Sequence, residues 1–328
     1  MNADILKRLV RAIGEGSHDD LSDLAKKAIQ NERDTGHAKL AGELDRIFER
    51  ARTKAAETNN SSLRELPSSR RNREQLVTVT PRDTLEHTMV LPPEVEERFA
   101  RVEKEYAARE RLSAYGLRPR KRVLLHGPPG CGKSLGAKRL AWNTTLPLMK
   151  VRFDALLSSY FGESASNLRT VFEAAKERPC VLLLDECDFI ARSRSSGRDV
   201  GEASRVVNAL LQFLDEYDAP GILVATTNVE ESLDEAIFRR FDDVFLVPLP
   251  GETEITRLLK LTLSAIKVSN SVDWDSIIGL LKGLSAAYVV KVAQDAAKAA
   301  VLVGRKIVEE DDIRKAIAEI RKGNSPQP

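Results

Sequence analysis

The residues most clearly able to do chemistry form one run, Gly127-Pro128-Pro129-Gly130-Cys131-Gly132-Lys133-Ser134. Its glycines let successive backbone N–H groups turn inward around an anion, as phosphate-binding loops require. Lys133 adds a point charge for β- and γ-phosphate oxygens, and the Ser134 hydroxyl can hold Mg²⁺. The four fixed positions of this pattern would arise by chance in roughly one chain of this length in a hundred. Cys131 fills a variable position, where a thiol is either a small filler or a redox handle. The residues expected to contact ATP are therefore Gly127, Pro128, Pro129, Gly130, Cys131, Gly132, Lys133, Ser134 and Leu135, joined by Asp185.

Asp185 follows the apolar run Val181-Leu182-Leu183-Leu184 and precedes Glu186. Such a run is the pattern of a parallel strand covered on both faces, and ligands in parallel sheets bind at the carboxyl ends of strands. There Asp185 can hold Mg²⁺ through water, with Ser134 as the second metal ligand, and Glu186 can polarise an attacking water. A third run, residues 222–225, leads into Thr226-Thr227-Asn228, where the Asn228 amide could orient that water.

These groups need a sheet to hold them. Apolar runs at 122–126, 148–153, 180–184, 221–226 and 244–247 alternate with helix-length intervals, which predicts parallel strands with crossover helices. A charged helix is expected over 94–114 after Pro92-Pro93. After Pro250 the pattern turns helical, near 252–265, 273–282, 284–303 and 309–322, giving an all-α tail. Before the sheet, Ile5, Leu6, Leu9, Val10 and Ile13 open a run of three short amphipathic helices, followed by a polar stretch containing Ser68-Ser69-Arg70-Arg71-Asn72-Arg73. That basic run reads as a solvated tether or as a contact for an acidic partner. The predicted layout is a helical bundle over 1–52, a linker over 53–88, an α/β domain over 89–248, a helical domain over 249–322 and a tail over 323–328. The fold class is α/β: a P-loop NTPase parallel sheet with a C-terminal all-α lid and a small N-terminal helical bundle.

Composition narrows the function. The 328 residues are 42% hydrophobic and 30% charged, with a net charge of only +2, which gives no electrostatic reason to expect nucleic-acid or membrane binding. Aromatics at 5% argue against a base-stacking platform. The three cysteines have no metal-ligand spacing and read as reduced thiols. With no apolar run near the roughly 18 residues of a membrane span, and Met1-Asn2-Ala3-Asp4 opening directly into a helix, a cytoplasmic protein is expected.

With these three motifs in this order, residues 89–322 resemble the AAA ATPases, ring-forming unfoldases and remodelling motors. The segment 118–134 is similar to the family's P-loop, where threonine is commoner than serine at the last position. Arg205-Val206-Val207-Asn208-Ala209-Leu210-Leu211 resembles the helix after the second pore-facing loop. Leu233-Asp234-Glu235-Ala236-Ile237-Phe238-Arg239-Arg240-Phe241-Asp242 resembles the arginine-finger segment. The resemblance implies that Arg239 and Arg240 reach the γ-phosphate of a neighbouring subunit, and hence a homo-oligomer, a hexamer in this family. Ser158-Ser159-Tyr160-Phe161-Gly162-Glu163-Ser164 resembles the first pore loop, which makes Tyr160, Phe161 and Gly162 candidates for gripping a polypeptide. Ser285-Ala286-Ala287-Tyr288 departs from the family's Ser-Gly-Ala-Asp at the start of the lid helix.

Two functions follow from the resemblance: a motor that remodels or unfolds a protein through a central pore, or a nucleotide-dependent switch that licenses a partner enzyme without threading. In either, the N-terminal bundle is a docking module or a stabilising appendage. The compact layout also resembles the ATPase of bacterial two-gene modules that pair it with a subtilisin-like protease in antiviral defence. A serine protease is thus a candidate partner beside the protein substrate.

Overall fold

The computed structural model describes residues 66–69, 73–157, 163–188, 200–228 and 238–324, together with Gly42; over 200–205 and 323–324 only the backbone is described. The chain divides into two units at Glu65 and Leu66. The helical bundle expected over 1–52 lies outside the described residues apart from Gly42, and the second unit begins at Leu66.

That unit is an α/β fold. Its elements are β1 (Val77–Thr80), α1 (Pro93–Ala107), α2 (Arg109–Ala114), β2 (Arg122–His126), α3 (Lys133–Asn143), β3 (Leu148–Val151), α4 (Phe153–Leu157), α5 (Ser164–Glu177), β4 (Val181–Leu184), α6 (Val200–Asp215), β5 (Ile222–Thr227) and β6 (Asp243–Leu246). The strands form one sheet in the order β1-β3-β4-β5-β2-β6. All pairings are parallel except β1 with β3. Alternation within the strands assigns side chains to two layers. Val123, Leu125, Val181, Leu183, Ile222 and Val224 pack with Phe99 and Val102 of α1 and with Ala137 and Leu140 of α3. Leu124, Leu182, Leu184, Leu223 and Ala225 pack on the opposite face with Leu168 and Phe172 of α5 and Leu210 of α6. Both faces are covered, which is why these strands read as unbroken apolar runs.

The expected linker over 53–88 is corrected in its last part. Leu76 and Val77 are fully buried, and Val77–Thr80 is an edge strand in register with β3, Val77 opposite Val151. The alternating, β-branched Val77-Thr78-Val79-Thr80 carries the period-two pattern of a half-buried strand, which the linker expectation passed over. The single helix expected over 94–114 is two, interrupted at Ala108, whose ψ of 10° leaves the helical region. Pro93 starts α1, where a fixed φ and a missing N–H suit the first turn.

Beyond Pro250 lie α7 (Glu252–Thr262), α8 (Trp274–Leu281), α9 (Ala286–Leu302) and α10 (Glu310–Asn324). They enclose a separate apolar core containing Ile255, Leu259, Ile277, Val289, Val292, Ile313 and Ile317. The tail is not wholly helical: β7 (Lys267–Val268) and β8 (Ile307–Val308) pair in parallel. No helix among the described residues is long and apolar enough to cross a membrane.

Candidate active site

The sheet order places β4, β5 and β2 side by side, so their carboxyl ends form one platform. Leu184 is level with Ala225, and Ala225 with Leu124, so Asp185, Thr226 and the end of β2 come into one layer. The three segments singled out in the sequence meet here.

The loop after β2 is held close to its surroundings. Gly127 has φ of 137°, and a Cβ there would lie 2.4 Å from the Val247 carbonyl oxygen. Gly130 has φ of 75°, and a Cβ would lie 2.7 Å from Ser285 Oγ. Both features exclude side chains, one through backbone conformation and the other through space. The Gly130 carbonyl accepts the Ala287 N–H at 3.0 Å, so the start of α9 rests on the loop. The small side chains of Ser285, Ala286 and Ala287 permit this approach despite their departure from the family pattern.

Lys133 opens α3 and is buried; its Nζ donates to the carbonyl oxygens of Gly127 and Pro128, each at 2.8 Å. Burial pulls its pKa below the ordinary lysine value, opposed by Cys131, Asp188, Asp185 and Glu186. Leu135 lies in the first turn of α3. Cys131 is buried, and burial pushes its thiol up.

Asp185 is the hub. Its Oδ1 accepts from Ser134 Oγ at 2.7 Å and from Thr226 Oγ1 at 2.8 Å. Its Oδ2 accepts from Lys150 Nζ at 2.6 Å. Burial alone would raise the carboxyl's pKa; the bonds from Lys150, Ser134 and Thr226, with the Lys150 charge, outweigh it and hold the group below the usual aspartate value. A hydroxyl and a carboxylate side by side beneath a glycine loop form an all-oxygen donor set, which fits Mg²⁺.

Glu186 is exposed and has φ of 56°, left-handed backbone that costs a non-glycine residue about 1–2 kcal/mol. The turn is fixed by the Glu186 N–H donating to Thr226 Oγ1 at 2.9 Å and the Cys187 N–H to the Thr226 carbonyl at 2.8 Å. This turn leaves the Glu186 side chain exposed between the half-buried Asp185 and the buried Cys187. Asn228 is half-buried; its backbone N–H and side-chain Nδ2 donate to the two oxygens of Asp188, at 2.9 and 3.1 Å.

Arg239 and Arg240 lie elsewhere. Arg240 Nε donates to Asp215 Oδ2 at 3.0 Å, and the Asp242 N–H donates to the Arg122 carbonyl at 2.8 Å. Asp242 Oδ2 in turn accepts the Lys121 and Arg122 N–H groups, each at 2.9 Å. This pins residues 240–242 to the amino end of β2, whereas the glycine loop leaves its carboxyl end. At about 3.3 Å per residue the strand separates them by roughly 13 Å before either loop is counted. Tyr160, Phe161 and Gly162 lie outside the described residues.

Three residues at the platform had no role in the sequence reading: Lys150, Thr226 and Asp188. A charged residue inside the short run Leu148-Met149-Lys150-Val151 was the one available signal for Lys150. Asp188 and Thr226 act through contacts between strand ends, which spacing along the chain does not encode.

Residues 123–249 match the family described as ATPase family associated with various cellular activities (AAA). The chain is similar to the uncharacterized AAA family ATPase y4kL of Sinorhizobium fredii (strain NBRC 101917 / NGR234), with 41% identity over 216 residues, 66% of this chain and 65% of that protein. The chain thus spans a little under two thirds of that relative's length.

Proposed function

Because residues 123–249 match the AAA ATPase family, we propose that this protein hydrolyses ATP at sites completed by neighbouring subunits of a homo-oligomeric ring, a hexamer, and uses that hydrolysis to remodel or unfold a protein. The observation that carries the hydrolytic part is the Ser134–Asp185 contact of 2.7 Å, beneath the glycine loop and beside Glu186. Backbone N–H groups of the loop and Lys133 hold the phosphates, and Ser134 and Asp185 hold Mg²⁺. When bound, Mg²⁺ neutralises phosphate charge. Glu186 accepts the proton of the attacking water, which Asn228 orients, and the products are ADP and phosphate.

The position of Arg239 and Arg240 supports sharing of the site. An arginine at the amino end of β2 is too far from its own glycine loop to act there, but a neighbour can present it to the next subunit's γ-phosphate. The remodelling part rests on the likeness of Tyr160, Phe161 and Gly162 to a pore loop. A cytoplasmic setting and a serine-protease partner in antiviral defence are the corresponding proposals for context.

Mixing subunits tests the shared site. Lys133→Ala chains, unable to bind ATP, and Arg239→Ala/Arg240→Ala chains, lacking fingers, should each be inactive alone and regain hydrolysis when combined. No recovery on mixing overturns the shared site. Glu186→Gln should bind ATP without turnover and hold the oligomer together; turnover at the wild-type rate removes Glu186 from its role. If Tyr160→Ala and Phe161→Ala leave biological activity intact while Glu186→Gln abolishes it, threading is wrong and the licensing switch takes its place.

A further inference from the structure

We infer that Asp188 is a positioning residue that fixes which end of the Asn228 amide faces the reacting phosphate, a refinement that rests on the proposed ATPase reaction. Asp188 is 8% exposed, and its carboxylate bridges the ends of β4 and β5. Oδ1 accepts from Thr227 Oγ1 and from the Asn228 backbone N–H at 2.9 Å. Oδ2 accepts from Asn228 Nδ2 at 3.1 Å. Thr227 itself is fully buried, so the strand end to which Asp188 is bound is rigidly seated.

The chemistry of these partners decides the orientation. A carboxylate only accepts hydrogen bonds, and an amide has one donating and one accepting end. The end of Asn228 that meets Asp188 must therefore be its NH₂, which directs the carbonyl oxygen Oδ1 away from Asp188. A carbonyl oxygen beside a phosphate oxyanion is repelled, but it accepts a hydrogen bond from water. Asn228 is thus a water-orienting residue and not a phosphate-contacting one. The attacking water gives one O–H to Asn228 Oδ1 and passes the other proton to the Glu186 carboxylate. Its oxygen bonds to the γ-phosphorus, and the bond from phosphorus to the β–γ bridging oxygen breaks with its electron pair leaving on ADP. Without Asp188 the amide is free to turn, and the water loses its second anchor.

The test exchanges donors and acceptors at constant shape. In Asp188→Asn, Oδ1 can still accept from Thr227 and the Asn228 N–H, but an NH₂ now faces the Asn228 amide and forces it to flip. We expect kcat to fall at least about tenfold, within the roughly hundredfold that misplacing a reacting group costs. The Kd for Mg–ATP, measured calorimetrically, should stay within about twofold. Asn228→Asp alone sets two carboxylates against each other and should also lose kcat. The double variant Asp188→Asn/Asn228→Asp restores a donor opposite an acceptor and again presents an oxygen to the water, so its kcat should exceed that of Asn228→Asp at least about tenfold. A merely structural role for Asp188 would lower stability and would not be rescued by the swap. Wild-type kcat in Asp188→Asn overturns the inference, as does a double variant no faster than Asn228→Asp. If Asp188→Asn does not fold, the comparison of the double variant with Asn228→Asp decides alone. A wild-type protein that does not hydrolyse ATP refutes the ATPase reading itself, and the inference with it. Hydrolysis by wild type with no effect in these variants refutes only the role of Asp188.

Discussion

Replacing Thr226 by valine should destabilise the protein by about 2–3 kcal/mol and reduce ATP turnover. The side chain is 1% exposed and valine matches its shape, so the change isolates the hydroxyl. Thr226 Oγ1 donates to Asp185 Oδ1 at 2.8 Å and accepts the Glu186 N–H at 2.9 Å. A hydrogen bond to a charged group contributes about 1.5–3 kcal/mol, and a backbone N–H left without its acceptor costs about 1–3 kcal/mol. Asp185 keeps Ser134 and Lys150, so its charge is not orphaned, and the added methyl recovers up to about 1 kcal/mol of apolar burial. The lower half of the combined range follows. With a urea m-value of about 3 kcal/mol/M, the unfolding midpoint should fall by roughly 1 M at unchanged slope. Thr226→Ser keeps the hydroxyl and loses a methyl, and should cost only about 1 kcal/mol. Turnover should fall in the valine variant because the Glu186 turn, at φ 56°, loses the bond that holds its strained backbone. A valine variant within about 0.5 kcal/mol of wild type, or a serine variant as damaged as the valine one, would refute this account.

Asp242 sits below the usual aspartate value of 3.8, since bonds from Arg122 and the Lys121 and Arg122 N–H groups outweigh burial, which alone would raise it. A depressed carboxyl stabilises the fold above its unfolded pKa and loses that contribution as pH falls through the folded one. The deficit of Asp242→Asn against wild type should therefore be full at pH 7 and narrow below about pH 3.8, read by denaturant melts at several pH values; a deficit constant with pH would contradict it. Gly221→Ala should lose about 2–3 kcal/mol, because the new Cβ would lie 1.9 Å from the Cys180 carbonyl oxygen and backbone must shift; an unchanged melting temperature would show the site is looser than described. Cys131, Cys180 and Cys187 are all buried, and burial pushes their thiols up, Cys180 to about 12. The native protein should resist a disulfide-exchange reagent at pH 8 and react at all three thiols once unfolded; one fast thiol in the native state would revive redox control through Cys131.

The glycine loop was legible in the sequence because its conformation admits few residues: Gly127 and Gly130 sit where a Cβ would strike neighbouring atoms. The strands β2, β4 and β5 were legible because burial on both faces leaves only apolar residues. What escaped depends on contacts remote in sequence. Val77–Thr80 has the alternation of a strand but only four residues of it, and the edge it pairs with lies some 70 residues later, Val77 opposite Val151. The break at Ala108 has no glycine or proline to announce it. Two-residue strands such as β7 and β8 are too short to show a period. Lys150 and Asp188 find their partners across 35 and 40 residues, and no spacing rule links them.

The placement of Arg240 at one end of β2 and Gly127 at the other has a consequence for when the chain is silent. On the proposed reading, a solitary chain carries both halves of the machinery and can bring neither to bear on itself. Dilution then extinguishes turnover without any inhibitor, and specific activity rises with protein concentration until rings are complete. On that reading a freshly made or dissociated chain wastes no nucleotide, and abundance becomes the first control on turnover.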